Sequence, residues 1–165
     1  MTAVNLFILI MAGVNLGIGF LVFFKKYKSP THQSFLLFCL GSSLWTISYI
    51  FLAHSHMLIF DKLIILGSLL STAGIFIFAK YFPIDSTHSF SRKDAYSLLP
   101  LIICGFLLFD NLIIKNVHFV NSYPAPVNGS LFPVFATVLF IYLGLSIYYL
   151  VRNFKRSNPI QQNSV

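Results

Sequence analysis

Residues 4–24 read VNLFILIMAGVNLGIGFLVFF, an unbroken run of 21 residues without a charged side chain. A membrane-spanning helix needs about 20 mostly apolar residues. Lys25, Lys26 and Lys28 follow the run, whereas no basic residue precedes it and no small-residue cleavage site ends it. We therefore interpret the run as a retained membrane helix and not as a signal peptide.

The rest of the 165-residue chain has the same character, with 57% hydrophobic and 9% charged residues. Soluble domains carry about a quarter charged residues, and a chain this apolar would expose large apolar patches in water. The composition also excludes disorder. The net charge of +7 does not indicate a nucleic-acid partner, because the basic residues lie at segment ends and not along one face. Cys39 and Cys104 lie inside apolar runs and indicate no disulfide framework.

Four further apolar runs predict an all-α polytopic membrane helix bundle over residues 1–156, with a polar cytoplasmic tail at 157–165. The five predicted transmembrane helices span about 4–24, 34–53, 62–82, 93–114 and 131–151. The fourth is the least regular, and we expect one helix with Asp110 in its last turns. The segment after it contains Val117, Phe119 and turn residues that allow a small hairpin.

The basic residues predict the orientation, because cytoplasmic loops carry an excess of Lys and Arg. With the N-terminus outside and the C-terminus inside, the outer segments hold only Lys62 and Lys115. The inner segments then hold Lys25, Lys26, Lys28, Lys80, Arg92, Lys93, Arg152, Lys155 and Arg156.

Residues that could carry chemistry are few. The chain has no glutamate and four aspartates, which is little material for general acid–base catalysis. It contains no Walker loop, HExxH or CxxC motif. We therefore predict no enzymatic activity, no catalytic residue, no cofactor and no metal site.

One polar cluster is expected on the outer side, at the ends of the predicted helices. It contains Asp110, Asp61, His54 and His56. An ionisable group within a span is a functional candidate by default, so these residues are candidates for an outward-facing ligand or proton-sensing pocket. The alternative is structural, with Asp110 reaching the interface or pairing with Lys62 or another outer lysine.

Small and polar residues inside the spans predict helix packing. Gly13 and Gly17 form a GxxxG spacing, which lets helix backbones approach closely in lipid. Packing within the bundle is the favoured interpretation, and a homodimer interface is the alternative. Asn15 is expected to bond to another helix, because an unpaired amide in lipid is costly. Trp45 lies well inside its span and is expected to pack into the bundle.

Several of these features together resemble a known family. The string from Asn15 to Lys26, the Lys-rich loop after it, and Ser34-Phe35 with Trp45 further on are similar to the seven-helix N-terminal sensor region of prokaryotic membrane histidine kinases. Further similarities are Phe82-Pro83 after the third span, Gly129 before the fifth, and the stretch from Arg152 to Gln162. The resemblance covers the first five of seven helices.

This resemblance implies a membrane-embedded sensory input module without its own catalytic domain. Its expected partners are the lipid bilayer and a cytoplasmic kinase or other output protein or domain. The chain is then either a fragment or a truncated sensor that acts through a partner. The alternatives are a small subunit of a transporter or channel, and a structural membrane protein.

Overall fold

The computed structural model describes residues 3–55, 57–83, 92–108, 110–120 and 123–157. These residues fold into helices and one two-stranded antiparallel sheet. The elements are α1 (Ala3–Lys25), α2 (Pro30–Ser55), α3 (Leu58–Tyr81), α4 (Arg92–Ser97), α5 (Leu99–Leu107), β1 (Ile114–Val120), β2 (Tyr123–Asn128) and α6 (Phe132–Ser157).

Four helices among the described residues, α1, α2, α3 and α6, are long and apolar enough to cross a membrane. They coincide with the first, second, third and fifth predicted spans. The single helix predicted over 93–114 is wrong: it is replaced by α4 and α5, a turn, and the start of β1. Pro100 lies in the first turn of α5, where its missing N–H and its ring prevent a continuous helix through Ser97. Asn111 then adopts the left-handed conformation, with φ of 57°.

Helices α2 and α3 form the closest pair in the fold, and three glycines allow it. A methyl group on Gly67 would lie 2.7 Å from the backbone N of Trp45 and 2.7 Å from the carbonyl O of Gly41. One on Gly74 would lie 2.5 Å from the backbone N of Phe38. Because small residues let backbones meet and gain dispersion contacts in lipid, α2 and α3 behave as one tightly packed unit.

Helix α6 runs parallel to α3 and not antiparallel to it. Its middle contacts Phe76 of α3 through Tyr142 and Tyr149, with ring centroids 5.0 and 5.9 Å apart in edge-to-face geometry. Its last turns reach the C-terminal end of α3, where Asn153 bonds to the carbonyl O of Ala79. The segment between the two parallel helices must therefore return along the bundle.

The short helices α4 and α5 lie along this return path. The hydroxyl of Tyr142 donates to the carbonyl O of Ser97 at the end of α4. Leu101, Cys104 and Leu108 are buried in the same core as residues of α3 and α6. One face of α5 therefore packs against the α3–α6 pair through these three side chains, while Leu99, Ile102 and Phe106 remain exposed.

A hairpin closes the path before α6, and this prediction is confirmed. Val117 of β1 pairs with Pro126 of β2 in an antiparallel register. The backbone N of Gly129 then donates to Ile113 O at 2.7 Å. A Cβ at Gly129 would come within 2.9 Å of the backbone N of Ile113, so the chain can enter α6 at this point only with glycine there.

Candidate functional site

The polar cluster that was predicted for the outer side lies at one end of the bundle, where α1 begins, α2 ends and α3 begins. The side-chain Nδ2 of Asn5 in α1 lies 3.5 Å from Nε2 of His54 in α2. The other ring nitrogen, Nδ1, lies 2.8 Å from the carbonyl O of Ile50. Since a carbonyl only accepts, Nδ1 carries the proton and Nε2 accepts from the Asn5 amide. His54 thereby joins the first two helices at this end.

Asp61 is the unusual member of the cluster. It lies in the first turn of α3, where the N-terminal end of the helix dipole favours a negative charge. Its side chain is only 4% exposed, and its Oδ2 has no hydrogen-bond partner among the described residues. A buried carboxylate without a partner is costly. The fold therefore keeps at the N-terminal end of α3 an acidic side chain with one oxygen unsatisfied among the described residues.

The structure shows no bond between Asp110 and the other members of this cluster among the described residues. Asp110 lies in the turn after α5 with an exposed side chain, and it makes no hydrogen bond or ion pair with another described residue. Its expected place in the last turns of a helix is wrong, because α5 ends at Leu107. His56 lies outside the described residues.

Asn15 bonds across to α2 in the middle of the membrane-spanning region. Its Nδ2 lies 2.6 Å from Ser42 Oγ, 3.2 Å from Ser43 Oγ and 3.3 Å from the carbonyl O of Cys39. The Ser43 hydroxyl donates in return to the carbonyl O of Ala12. Such bonds hold α1 on the bundle, which otherwise buries only Ala12 and Gly19 of this helix.

Two packing predictions are corrected by the structure. Gly13 and Gly17 are exposed, and a methyl group on either would meet nothing within 4 Å. The GxxxG face of α1 therefore points away from the bundle and is free to contact lipid or another molecule. The Trp45 side chain is 48% exposed, because it is the backbone of Trp45 that contacts Gly67. Close approach of the two backbones directs this ring outward.

One residue at the opposite end of the bundle was missed by the sequence reasoning. Asn153 is 6% exposed, and its Nδ2 bonds to the carbonyl oxygens of Ala79 at 3.0 Å, Lys80 at 3.1 Å and Phe82 at 3.1 Å. The last carbonyls of a helix lack partners within it, and Asn153 supplies donors to them. The sequence feature that could have indicated this role is that Asn153 is the single amide side chain in the last turns of an apolar helix.

A family model described as the N-terminal 7TM region of histidine kinase matches residues 7–165. The chain belongs to this family. The resemblance seen in the sequence is confirmed, and this histidine kinase sensor region is a multi-pass membrane protein with apolar helices long enough to span the bilayer. Comparison of the sensor region with curated proteins and with solved structures finds no match.

Proposed function

We propose that this sensor region is a non-catalytic input module that converts a change at Asp61, on the outer side, into a movement of the inner end of α6. The output would be a cytoplasmic kinase domain or a partner protein. The observation that carries the proposal is the buried Asp61 side chain at one end of α3, whose Oδ2 has no partner in the described part of the chain, together with the Asn153 bonds that join the other end of α3 to α6.

The proposed threading has five crossings with the N-terminus outside. Parallel packing of α3 and α6 supports it, because a chain that crosses the membrane twice in the same direction must cross back once in between. Residues 92–108 supply that segment, and the helical residues of α4 (6) and α5 (9) would rise about 22 Å at roughly 1.5 Å each, which is most of the roughly 30 Å hydrocarbon thickness. The excess of basic residues on the inner segments supports the direction.

The proposed stimulus acts by satisfying Asp61. A proton or a small cation arriving from outside would remove the cost of the buried, unpaired charge. The proposal requires that the proton or cation binds to Asp61 more tightly in one arrangement of the helices than in the other, because only such a difference shifts a conformational equilibrium. His54 and Asn5 would respond next, because they join the neighbouring helix ends.

The proposed route to the inner side is helix α3 itself. Glycine-mediated contact with α2 makes α3 part of a stiff pair, so a displacement at its outer end is transmitted along the helix and not absorbed locally. At the inner end the Asn153 bonds link α3 to the last turns of α6, which carry the basic residues Arg152, Lys155 and Arg156.

Distance measurement between spin labels tests this proposal in the full chain, reconstituted in nanodiscs. Labels at Lys28→Cys and Arg152→Cys report the inner ends of the helices, and the native Cys39 and Cys104 are buried. We expect the label distance to shift when the medium is changed from neutral to mildly acidic, or when the monovalent cation is exchanged. The two changes separate a proton from a cation as the stimulus.

Variants assign the shift to the proposed residues. Asp61→Asn should abolish the response, and Asn153→Leu should uncouple the inner ends from it. Asp110→Asn is the matched control, since it makes the same chemical change at an exposed outer carboxyl and should leave the response intact. A response that survives in Asp61→Asn, or a distance that no medium changes, would refute the proposal.

A further inference from the structure

An apolar groove lies at the opposite end of the bundle from Asp61, where α1 ends, α2 begins and α3 ends. It encloses about 270 Å³. Three of its lining residues are aromatic rings in contact: the ring centroids of Phe35 and Phe78 are 6.2 Å apart, and those of Phe78 and Phe82 are 5.0 Å apart. The groove is lined by Val22, Thr31, His32, Phe35, Phe78 and Phe82. Its shape and chemistry suit a hydrocarbon chain.

His32 adds an unsatisfied polar atom to this apolar lining. Its Nδ1 is fully buried and has no hydrogen-bond partner among the described residues. A buried ring nitrogen without a partner is destabilising, whether it carries a proton or a lone pair. The His32 ring borders the groove, so a rotation of the ring toward the groove would let this nitrogen donate to an oxygen-bearing molecule that enters there.

The mouth of the groove is cationic. Lys25 ends α1, and Lys26 and Lys28 follow it in the loop to α2, all three with exposed side chains. The loop is held short by two bonds, from the backbone N of Ser29 to Lys26 O at 2.9 Å and from Gln33 Nε2 to Tyr27 O at 2.8 Å. The lysines therefore stay beside the groove, where α2 begins at Pro30.

We propose that this groove binds one anionic phospholipid. The phosphate would lie at the mouth, between the three lysines and the first turn of α2, and one acyl chain would lie along Phe35 and Phe78. Positive charge beside an apolar groove between membrane helices is the complement of an anionic lipid. In the threading proposed above the site faces the inner leaflet, but the binding itself does not depend on signalling by Asp61.

A second groove on the same side serves as an internal comparison. It is lined by Phe82, Pro83, Leu150, Val151, Phe154 and Lys155. It resembles the first groove in being apolar and near basic residues. Its neighbouring amide, Asn153, already has three acceptors, so it lacks the unsatisfied polar atom that His32 supplies.

Native mass spectrometry of the full chain, released from mixed micelles, tests the proposal. The probes are phosphatidylglycerol and phosphatidylcholine with identical acyl chains, and inorganic phosphate as competitor. We expect the first phosphatidylglycerol to bind at least tenfold more tightly than phosphatidylcholine. Each lysine near an anionic surface is worth about a fivefold change in affinity. The triple variant Lys25→Gln, Lys26→Gln, Lys28→Gln should therefore lose this preference.

Matched variants locate the site. The triple variant Arg152→Gln, Lys155→Gln, Arg156→Gln removes the same charge near the second groove and should keep the preference. Val22→Trp should fill the first groove and weaken binding of both lipids. His32→Leu should reduce phosphatidylglycerol binding while raising the melting temperature of the lipid-free chain.

Three results would overturn the proposal. Equal loss of preference in the two triple variants would show diffuse charge attraction instead of a site. Full competition by inorganic phosphate would show a free-anion site in place of a lipid site. Unchanged lipid binding in both Val22→Trp and His32→Leu, with each variant folded by its melting transition, would exclude the groove.

Discussion

Replacing Gly74 with alanine tests the tight α2–α3 contact on which the architecture depends. The added methyl group would lie 2.5 Å from the backbone N of Phe38, 2.8 Å from its Cα and 2.9 Å from the carbonyl O of Ser34. All three are backbone atoms of α2, so no side chain can rotate away and the helices must separate. Gly17→Ala is the matched control, because a methyl group there meets nothing within 4 Å.

The magnitudes follow from two opposing effects. Alanine in place of a helical glycine stabilises by about 0.5–1 kcal/mol through backbone entropy. Overpacking a close contact costs about 1–3 kcal/mol and occasionally more, and the rigid obstacles at Gly74 place it at the upper end. We therefore expect Gly74→Ala to lower the free energy of unfolding by about 2 kcal/mol, while Gly17→Ala leaves it unchanged or slightly higher.

The assay is unfolding by SDS in mixed micelles, followed by far-UV circular dichroism and by the emission of Trp45. This is the only tryptophan in the chain, and its backbone lies against Gly67 in the same α2–α3 contact. In Gly74→Ala we expect both the unfolding midpoint and the Trp45 emission of the folded state to change. Equal unfolding free energies for Gly74→Ala and Gly17→Ala would refute the close packing of α2 on α3.

Three further outcomes follow from the contacts. Asn15→Leu should lower the free energy of unfolding by about 1 kcal/mol, since interhelical bonds in membranes average about 0.6 and reach about 1.7 kcal/mol; the same SDS titration measures it. Tyr142→Phe removes one bond to a backbone carbonyl and should cost about 1 kcal/mol, whereas Trp45→Phe, at an exposed ring, should cost less in that titration. Cys39 and Cys104 are buried and should react with a maleimide only after denaturation, so rapid labelling of the folded chain, read by mass spectrometry, would contradict the packing around them.

Span positions could be predicted from the sequence because the criterion is local. An apolar run either matches the thickness of the bilayer or does not, and α1, α2, α3 and α6 satisfy it without reference to the rest of the chain. The prediction of a fourth span as one continuous helix was wrong, because Pro100 and the turn at Asp110 and Asn111 interrupt a stretch that is otherwise apolar enough to form one. Docking against α3 and α6 lets this segment remain as two short helices, since Leu101, Cys104 and Leu108 are buried in the core.

The candidate site was predicted in part. His54 and Asp61 lie at the same end of the bundle, as expected from their places at the ends of consecutive helices. The burial of Asp61 and the exposure of Asp110 were not predictable, because both residues are single aspartates next to apolar runs. Which one is covered depends on the neighbouring helices and not on the adjacent sequence.

The amino-acid sequence by itself determined that this protein lies in a lipid bilayer, where four of its spans are, and the family to which it belongs. Only the tertiary structure decided which helix faces meet. Gly13 with Gly17 and Gly67 with Gly74 are similar pairs in the sequence, yet the first faces outward and the second lies against α2. In water an apolar stripe marks the buried face of a helix, but in lipid every face is apolar. The contacts that choose a face, such as that of Asn153 with Ala79, join residues far apart in the chain.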